Sequence, residues 1–258
     1  MRPTPRTTVC TLVVAWRVFE GTPIAVAANR DEATGRPASP PSAVGSDPTI
    51  VAPRDEEAGG TWIGYNEAGV LAAITNRWTD DDREGERSRG LLVRDALAGA
   101  SAEAAVRTIE RELANRAYDF FNLVVCDATA AILLEWDGRL RVSTLDPGVH
   151  IVMNVGYDDV FDVPERRREA GERQVESARL VRAALQPEPG ERAAAWLDRA
   201  GGVLGDHDYG VCIHGDGFGT RSSSLIALAE DGRSIYRFAD GPPCRTEYEA
   251  VEGVAVWS

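Results

Sequence analysis

TLVVAWRVFEGTPIAVAANRDE, residues 11–32, is the stretch that decides the fold. Thr11 to Val18 is rich in β-branched and aromatic residues, Phe19-Glu20-Gly21-Thr22-Pro23 supplies turn chemistry, and Pro23 to Ala28 is apolar again. The pattern predicts a β-hairpin. Its second strand runs directly into Asn29-Arg30-Asp31-Glu32, four polar residues that end a nearly pure apolar strand.

Outward from the hairpin, residues 36–48 are rich in Pro, Ser and Gly and read as loop. TIVAP (49–53), GGTWIGY (59–65) and VLAAIT (70–75) read as strands, the last two joined by the turn Asn66-Glu67-Ala68-Gly69, and 79–86 is an acidic loop. Residues 88–99 and 102–116 show helical spacing; Ala102, Ala105, Val106, Ile109 and Leu113 share one face. Ser101 is the expected N-cap and Glu103 suits the dipole, while Ala104 rules out a full capping box. Phe121–Cys126 and Ala131–Trp136 form a second hairpin, and His150–Asn154 is a short strand ending in asparagine. Helices follow over 164–186 and 190–200, then strands over Tyr209–His214, Ser223–Ala229, Ser234–Phe238 and Glu247–Val251. Adjacent hairpins favour antiparallel sheets whose outer faces the helices must cover. The order therefore predicts an α+β, four-layer αββα sandwich, with two mainly antiparallel sheets between helix layers.

The 258 residues are 43% hydrophobic, enough for a single domain over 10–258 behind a polar, proline-bearing extension, 1–9. A net charge of −13 argues against nucleic acid and anionic membrane surfaces as partners. No apolar run reaches bilayer length, and Leu12–Trp16 is too short for a signal-peptide core, so neither membrane insertion nor secretion is expected and the chain reads as cytoplasmic. All 28 basic residues are arginine; this acidic, lysine-free composition resembles that of halophile proteins, and coding bias in a GC-rich genome produces the same arginines. The cysteines Cys10, Cys126, Cys212 and Cys244 form no CxxC pair and only three histidines exist, so no metal cluster is expected and free thiols are. Cys126 and Cys212 sit in apolar runs like core residues, and His207 and His214 read as structural or exposed.

Three blocks, AANRDE (27–32), GGTWIGYNEAGVLAAITN (59–76) and GFGTRSSSLIAL (217–228), stand in an order that resembles the NRDE family, also called the transport and Golgi organisation protein 2 family. FNLVVCD (121–127) and the strand ending at Asn154 extend the resemblance from Cys10 nearly to the C-terminus. It implies an N-terminal-nucleophile (Ntn) hydrolase fold. A more distant similarity to choloylglycine hydrolases and penicillin V acylases implies roles for Cys10, Arg30, Asp31, Asn76, Asn154 and Arg221. In that scheme a terminal Cys10 uses its own α-amine, with a pKa near 7.7–8.0, to take the thiol proton. Arg30 favours the thiolate and Asp31 holds the amine. The Asn154 side chain and the Asn76 backbone N–H receive the oxyanion, and Arg221 braces the pocket or a substrate carboxylate. The reaction implied is hydrolysis of a linear carbon–nitrogen (amide) bond.

Asn29, Glu32, Trp62 and Asn66 complete the candidate site as binding residues, and Asn29 is suited to orienting its loop through side-chain to backbone hydrogen bonds. Trp16, Trp62 and Trp78 lie near the same blocks and suit either pocket lining or core. Each residue alone has a plainer use: Cys10 as packing, Arg30–Asp31 as a strand-end ion pair, Asn66, Asn76 and Asn154 as turn or strand-end residues, Arg221 as a solvated arginine. The family resemblance also implies a different class of function, a non-catalytic carrier of haem or a small hydrophobic ligand. Nine residues precede Cys10 where family members have only Met. Either Val9 is the true start, read as Met, and residues 1–8 are an artefact, or residues 1–9 are real and Cys10 lacks a free amine.

Overall fold

The computed structural model describes residues 10–45, 47–81 and 83–257; the expectation about residues 1–9 lies outside them. The elements are β1 (Thr11–Phe19), β2 (Thr22–Ala33), β3 (Ala38–Val44), β4 (Ile50–Asp55), β5 (Ile63–Asn66), β6 (Leu71–Asn76), α1 (Arg89–Leu97) and α2 (Ala102–Asn115). They continue with β7 (Phe121–Cys126), β8 (Ala131–Trp136), β9 (Leu140–Thr144), β10 (Gly148–Met153), β11 (Gly156–Tyr157), β12 (Val160–Phe161), α3 (Arg168–Ala184), α4 (Ala193–Gly205), β13 (Phe218–Leu228), β14 (Ser234–Ala239) and β15 (Glu249–Ala250). The first sheet has the order β12-β11-β10-β1-β2-β13-β14-β15 and the second β3-β4-β5-β6-β7-β8-β9. The paired strands run antiparallel throughout.

Strand alternation builds the layers. On the first sheet Val13, Ala15, Ala25, Ala27 and Leu225 face α3 and α4. Leu12, Val14, Ile24, Val26 and Ile226 face the second sheet, where Ile63, Leu71, Val124 and Leu133 meet them. The far side of the second sheet packs on α1 and α2 through Ala72, Leu123, Val125, Leu92, Leu97 and Ile109. This is the expected αββα sandwich. Ser101 caps α2 as predicted, its hydroxyl accepting from the Ala104 N–H at 3.2 Å. No helix among the described residues is long and apolar enough to cross a membrane.

Local expectations fail at three places. The polar tetrad does not end β2: Asn29–Ala33 stay paired with β13 across a one-residue bulge, down to Phe218↔Ala33. A paired neighbour carries polar residues through the ladder that hydropathy alone would break. Residues 38–44, expected as loop, form the edge strand β3, whose Pro40 and Pro41 fall at a register shift between Ser39 and Ser42; an edge strand tolerates residues without N–H donors. The strand expected over Tyr209–His214 is instead a 3₁₀ turn, His207–Tyr209, and an irregular segment joined to β13 by an isolated His214↔Gly219 bridge.

Candidate active site

Even- and odd-numbered residues of β2 point to opposite faces, so the Asn29-Arg30-Asp31-Glu32 tetrad serves two environments. Arg30 faces the second sheet. Its guanidinium carbon stands 4.1 Å from the centre of the Trp62 ring, and it pairs loosely with Asp55 at 3.6 Å and Glu32 at 3.8 Å. Burial pulls the Arg30 pKa down, while Glu32, Asp55 and Cys10 push it back up. Trp62 reaches this position because the Gly59-Gly60 segment packs tightly on the start of α1. A Cβ on Gly60 would stand 2.2 Å from the Gly90 carbonyl carbon, and the Thr61 N–H donates to the Gly90 oxygen at 3.0 Å.

Asp31 faces the α3/α4 side and is buried to 1% exposure. The Thr220 hydroxyl donates to Asp31 Oδ1 at 2.5 Å and itself accepts from the Ile213 N–H at 2.9 Å. Asp31 Oδ2 is buried with no hydrogen-bond partner. Desolvation therefore raises the Asp31 pKa well above the usual carboxylate range, against the lowering effect of Thr220.

Cys10 sits between these two groups. Its backbone N–H donates to Asn154 Oδ1 at 3.0 Å, and its Sγ lies 4.0 Å from the Asp31 carbonyl oxygen. Burial, then the Asp31 charge, pushes the thiol up to about 11, with Arg30 working in the opposite direction. In this state the sulfur is a neutral thiol at physiological pH. The cavity enclosed among Cys10, Leu12, Arg30, Trp62, Ile63 and Thr75 measures about 20 Å³, room for about one water. A cleft of about 630 Å³ lies nearby, lined by residues including Trp78, Met153, Gln174, Tyr209, Ile213 and Phe218.

Asn154 is fully buried and links several chain segments. Its Oδ1 accepts from Cys10 and from Gln174 Nε2 at 3.0 Å, its Nδ2 donates to the Asn76 carbonyl at 2.7 Å, and its N–H donates to Gln174 Oε1 at 3.2 Å. Asn76 is thus brought to the site, and the contact seen is through its carbonyl rather than its N–H. Arg221 is the extra residue at a bulge in β13, between Thr220↔Asp31 and Ser222↔Arg30, with its Nε buried and unpartnered.

Two candidate binding residues do structural work instead. Asn66 is consumed in its own turn: its Nδ2 donates to the Leu97 and Gly99 carbonyls at 2.7 and 2.8 Å, and its Oδ1 accepts from Val70. Asn29 donates to the Leu204 and Val211 carbonyls at 3.0 and 2.9 Å, tying the end of α4 and the segment after it to β2. Expected to orient its own loop, Asn29 instead reaches distant segments with its side-chain to backbone bonds. Trp16 is core, its indole donating to the Asp127 carbonyl at 2.9 Å, whereas Trp78 is buried in the core and also borders the larger cleft. Glu32 stays beside Arg30, its Oε1 accepting from the Ala33 N–H.

Sequence reading missed Arg89, Gln174, Thr220 and Asp55. Arg89 opens α1, donates to the Phe120 carbonyl at 2.9 Å, and has its charge opposed by burial and supported by Asp119, Cys10 and Glu32. Gln174 had a readable signal: it interrupts the buried stripe Gly171, Gln174, Ala178, Val181 of α3. Thr220 lay unremarked inside the quoted block 217–228, and nothing local marked Arg89 or Asp55.

Comparisons with known proteins bear on the family and the fold. A family model described as Transport and Golgi organisation 2 matches residues 9–237. The Transport and Golgi organization protein 2 homolog of Bos taurus is 27% identical over 236 residues, covering 82% of this chain and 84% of the bovine one. Among solved structures, a Caenorhabditis elegans ortholog of N-acylethanolamine-hydrolyzing acid amidase superposes with a TM-score of 0.58 at 12% identity, covering 84% of this chain and 92% of that one. Penicillin V acylase from Agrobacterium tumefaciens gives 0.52 at 17% identity, covering 90% and 83%. At such identities the structural likeness establishes the Ntn-hydrolase-like fold alone. The family match spans most of the chain and takes in every block that builds the site, and the chain belongs to the Transport and Golgi organisation 2 family.

Proposed function

We propose that this protein is a cysteine amidohydrolase of the N-terminal nucleophile kind, in which Cys10 of a chain beginning at that residue attacks a linear amide. One observation carries the reading: Asp31 Oδ2 is buried beside Cys10 with no donor. A peptide N–H at Cys10 offers one hydrogen, and Asn154 takes it. A free α-ammonium offers two more, and Asp31 supplies the acceptor that a buried ammonium needs. The same change supplies the missing base. In the neutral form the amine takes the thiol proton, Arg30 and Arg89 stabilise the thiolate, and the sulfur adds to the carbonyl. The second N–H of Asn154 Nδ2 receives the oxyanion. The amine returns its proton to the leaving nitrogen as the C–N bond breaks, and water then releases the acyl group from sulfur.

The experiment is to prepare the chain with Cys10 as its first residue, incubate it with a panel of N-acyl amides of differing acyl length, and follow both product and intact mass. Turnover with an acyl adduct on Cys10 is expected, and Cys10→Ala loses both. A free-amine chain that shows neither turnover nor adduct across the panel overturns the reading.

A second reading, a non-catalytic carrier of haem or a small hydrophobic ligand, has one observation in its favour. The cleft of about 630 Å³ has the volume of a small-molecule pocket, while the space at Cys10 holds about one water. Haem titration decides it: a saturable Soret shift abolished by Tyr209→Ala supports a carrier, and an unshifted Soret band removes haem as the ligand.

A further inference from the structure

Three side chains from residues 207–214 meet a fourth, Cys244, beyond the end of α4. Asp206 caps the 3₁₀ turn His207–Tyr209 by accepting from the Asp208 N–H at 2.9 Å, and Gly210 takes a left-handed φ of 67°. The chain then passes through Cys212 and His214. Cys244 arrives from the turn after β14, where the Arg245 N–H donates to the Pro242 carbonyl at 3.0 Å. One ligand atom from each of His207, Cys212, His214 and Cys244 lies within 4.8 Å of the others. His214 Nε2 is 3.2 Å from Cys244 Sγ and 3.9 Å from Cys212 Sγ, and the two imidazole rings are 5.1 Å apart at their centres.

We propose that His207, Cys212, His214 and Cys244 form a tetrahedral site for a borderline-soft divalent metal ion, zinc being the best fit. Two thiolates and two imidazoles are a donor set of structural zinc sites. Zn–N and Zn–S bonds of about 2.0–2.3 Å in a tetrahedron place ligand atoms roughly 3.3–3.8 Å apart. The 3.2 and 3.9 Å separations bracket that range. The widest separation, at most 4.8 Å, would have to close by about 1 Å on metal binding. His207 Nδ1 lies 3.2 Å from the Cys212 carbonyl, which can only accept. That bond puts the ring proton on Nδ1 and leaves the lone pair on Nε2, the kind of outer bond that orients metal-bound histidines. Cysteine binds such an ion as thiolate, and two thiolates cancel the charge of a divalent ion.

The expected absence of a metal cluster rested on the lack of CxxC spacing and on there being only three histidines; here two of those histidines and two cysteines come from the segment after α4 and a turn 30 residues further on. Such a site clamps residues 207–214 to the turn after β14. That segment supplies the Val211 carbonyl to Asn29 and the Ile213 N–H to Thr220, which holds Asp31. The metal would therefore buttress the outer face of the tetrad, whatever Cys10 does on the inner one.

The test is titration of the full-length, reduced, chelator-treated protein with Co²⁺. One equivalent is expected to give thiolate-to-cobalt charge transfer with the visible bands of tetrahedral Co²⁺, bleached by Zn²⁺. Cys244→Ser, on a partly exposed turn, and His214→Ala, on the surface, lose the band or weaken binding beyond the roughly 10–100-fold that outer-shell changes cost; circular dichroism confirms that they fold. Cys10→Ala retains it. No charge-transfer band in the wild type, or a band that survives Cys244→Ser and His214→Ala, overturns the site, as does a Cys212–Cys244 disulfide that persists in reductant.

Discussion

Cys10 and Cys212 stand on either side of the same strand, and β2 treats them differently. On the inner side, Arg30 and Glu32 place charge beside Cys10 in register, with Trp62 and Asp55 reaching across from the second sheet. On the outer side, Asn29 and Asp31 present hydrogen-bonding groups that hold the segment carrying Cys212. The inner thiol therefore acquires an electrostatic environment and the outer one a set of neighbouring ligands. One alternating strand can feed two chemistries because adjacent side chains point to opposite faces of the sheet, and Asp31 is the residue whose charge bears on both thiols.

The largest expected effect separates the two sides. Cys10→Ala in a chain beginning at residue 10 removes the nucleophile and should cost amide turnover about 10³-fold or more, while leaving the Co²⁺ spectrum intact. Activity retained in that variant would place the chemistry elsewhere.

Asp31→Asn comes next, with activity falling on the order of 10²-fold and a changed pH dependence. The folded pKa of Asp31 lies above its unfolded value, so the folded uncut chain binds that proton more tightly. Its contribution to stability is then fully present below about pH 4 and is lost as pH rises through the folded value. Melting temperatures from pH 3 to 8 should show this slope in the uncut wild type and not in Asp31→Asn. In the chain starting at Cys10, the ammonium partner should weaken or reverse it. Identical pH profiles for wild type and Asp31→Asn would show that the carboxylate is not strained by burial.

Asn29→Ala probes the outer side. It deletes two donors to buried carbonyls and should destabilise the fold by about 2–3 kcal/mol, read by chemical denaturation, and lower Co²⁺ affinity together with stability. Unchanged metal affinity in the folded variant would uncouple the tetrad from the cysteine–histidine cluster. Arg30→Lys is the mildest: it keeps the charge and loses the planar stack on Trp62, worth about 1 kcal/mol, so alkylation of Cys10 should slow roughly fivefold. An unaltered rate would mean that the Trp62 contact positions nothing.

Much of the fold was readable because periodicity and turn chemistry are local. The hairpin of β1 and β2, the Ser101 cap and the hairpin of β7 and β8 all follow from residues within a few positions of one another. The strand expected over Tyr209–His214 failed for the opposite reason: its β-branched Val211 and Ile213 are held by Asn29 and Thr220 from β2 and β13, not by a ladder of their own. At the candidate site, Cys10, Arg30, Asp31, Asn76 and Asn154 converge, yet their partners Arg89, Asp55, Gln174 and Thr220 come from separate elements with no motif to announce them.

The sequence by itself determined the family, the αββα layering and the strand that carries the tetrad, since blocks in order and alternating hydropathy are properties of a chain read end to end. Only the tertiary structure decided that Asp31 keeps a buried oxygen without a donor, that Asn66 serves its own turn, and that His207, Cys212, His214 and Cys244 share one point in space. Those outcomes depend on which distant segments the two sheets and their helices bring together, and burial and proximity between such segments leave no spacing rule in the chain.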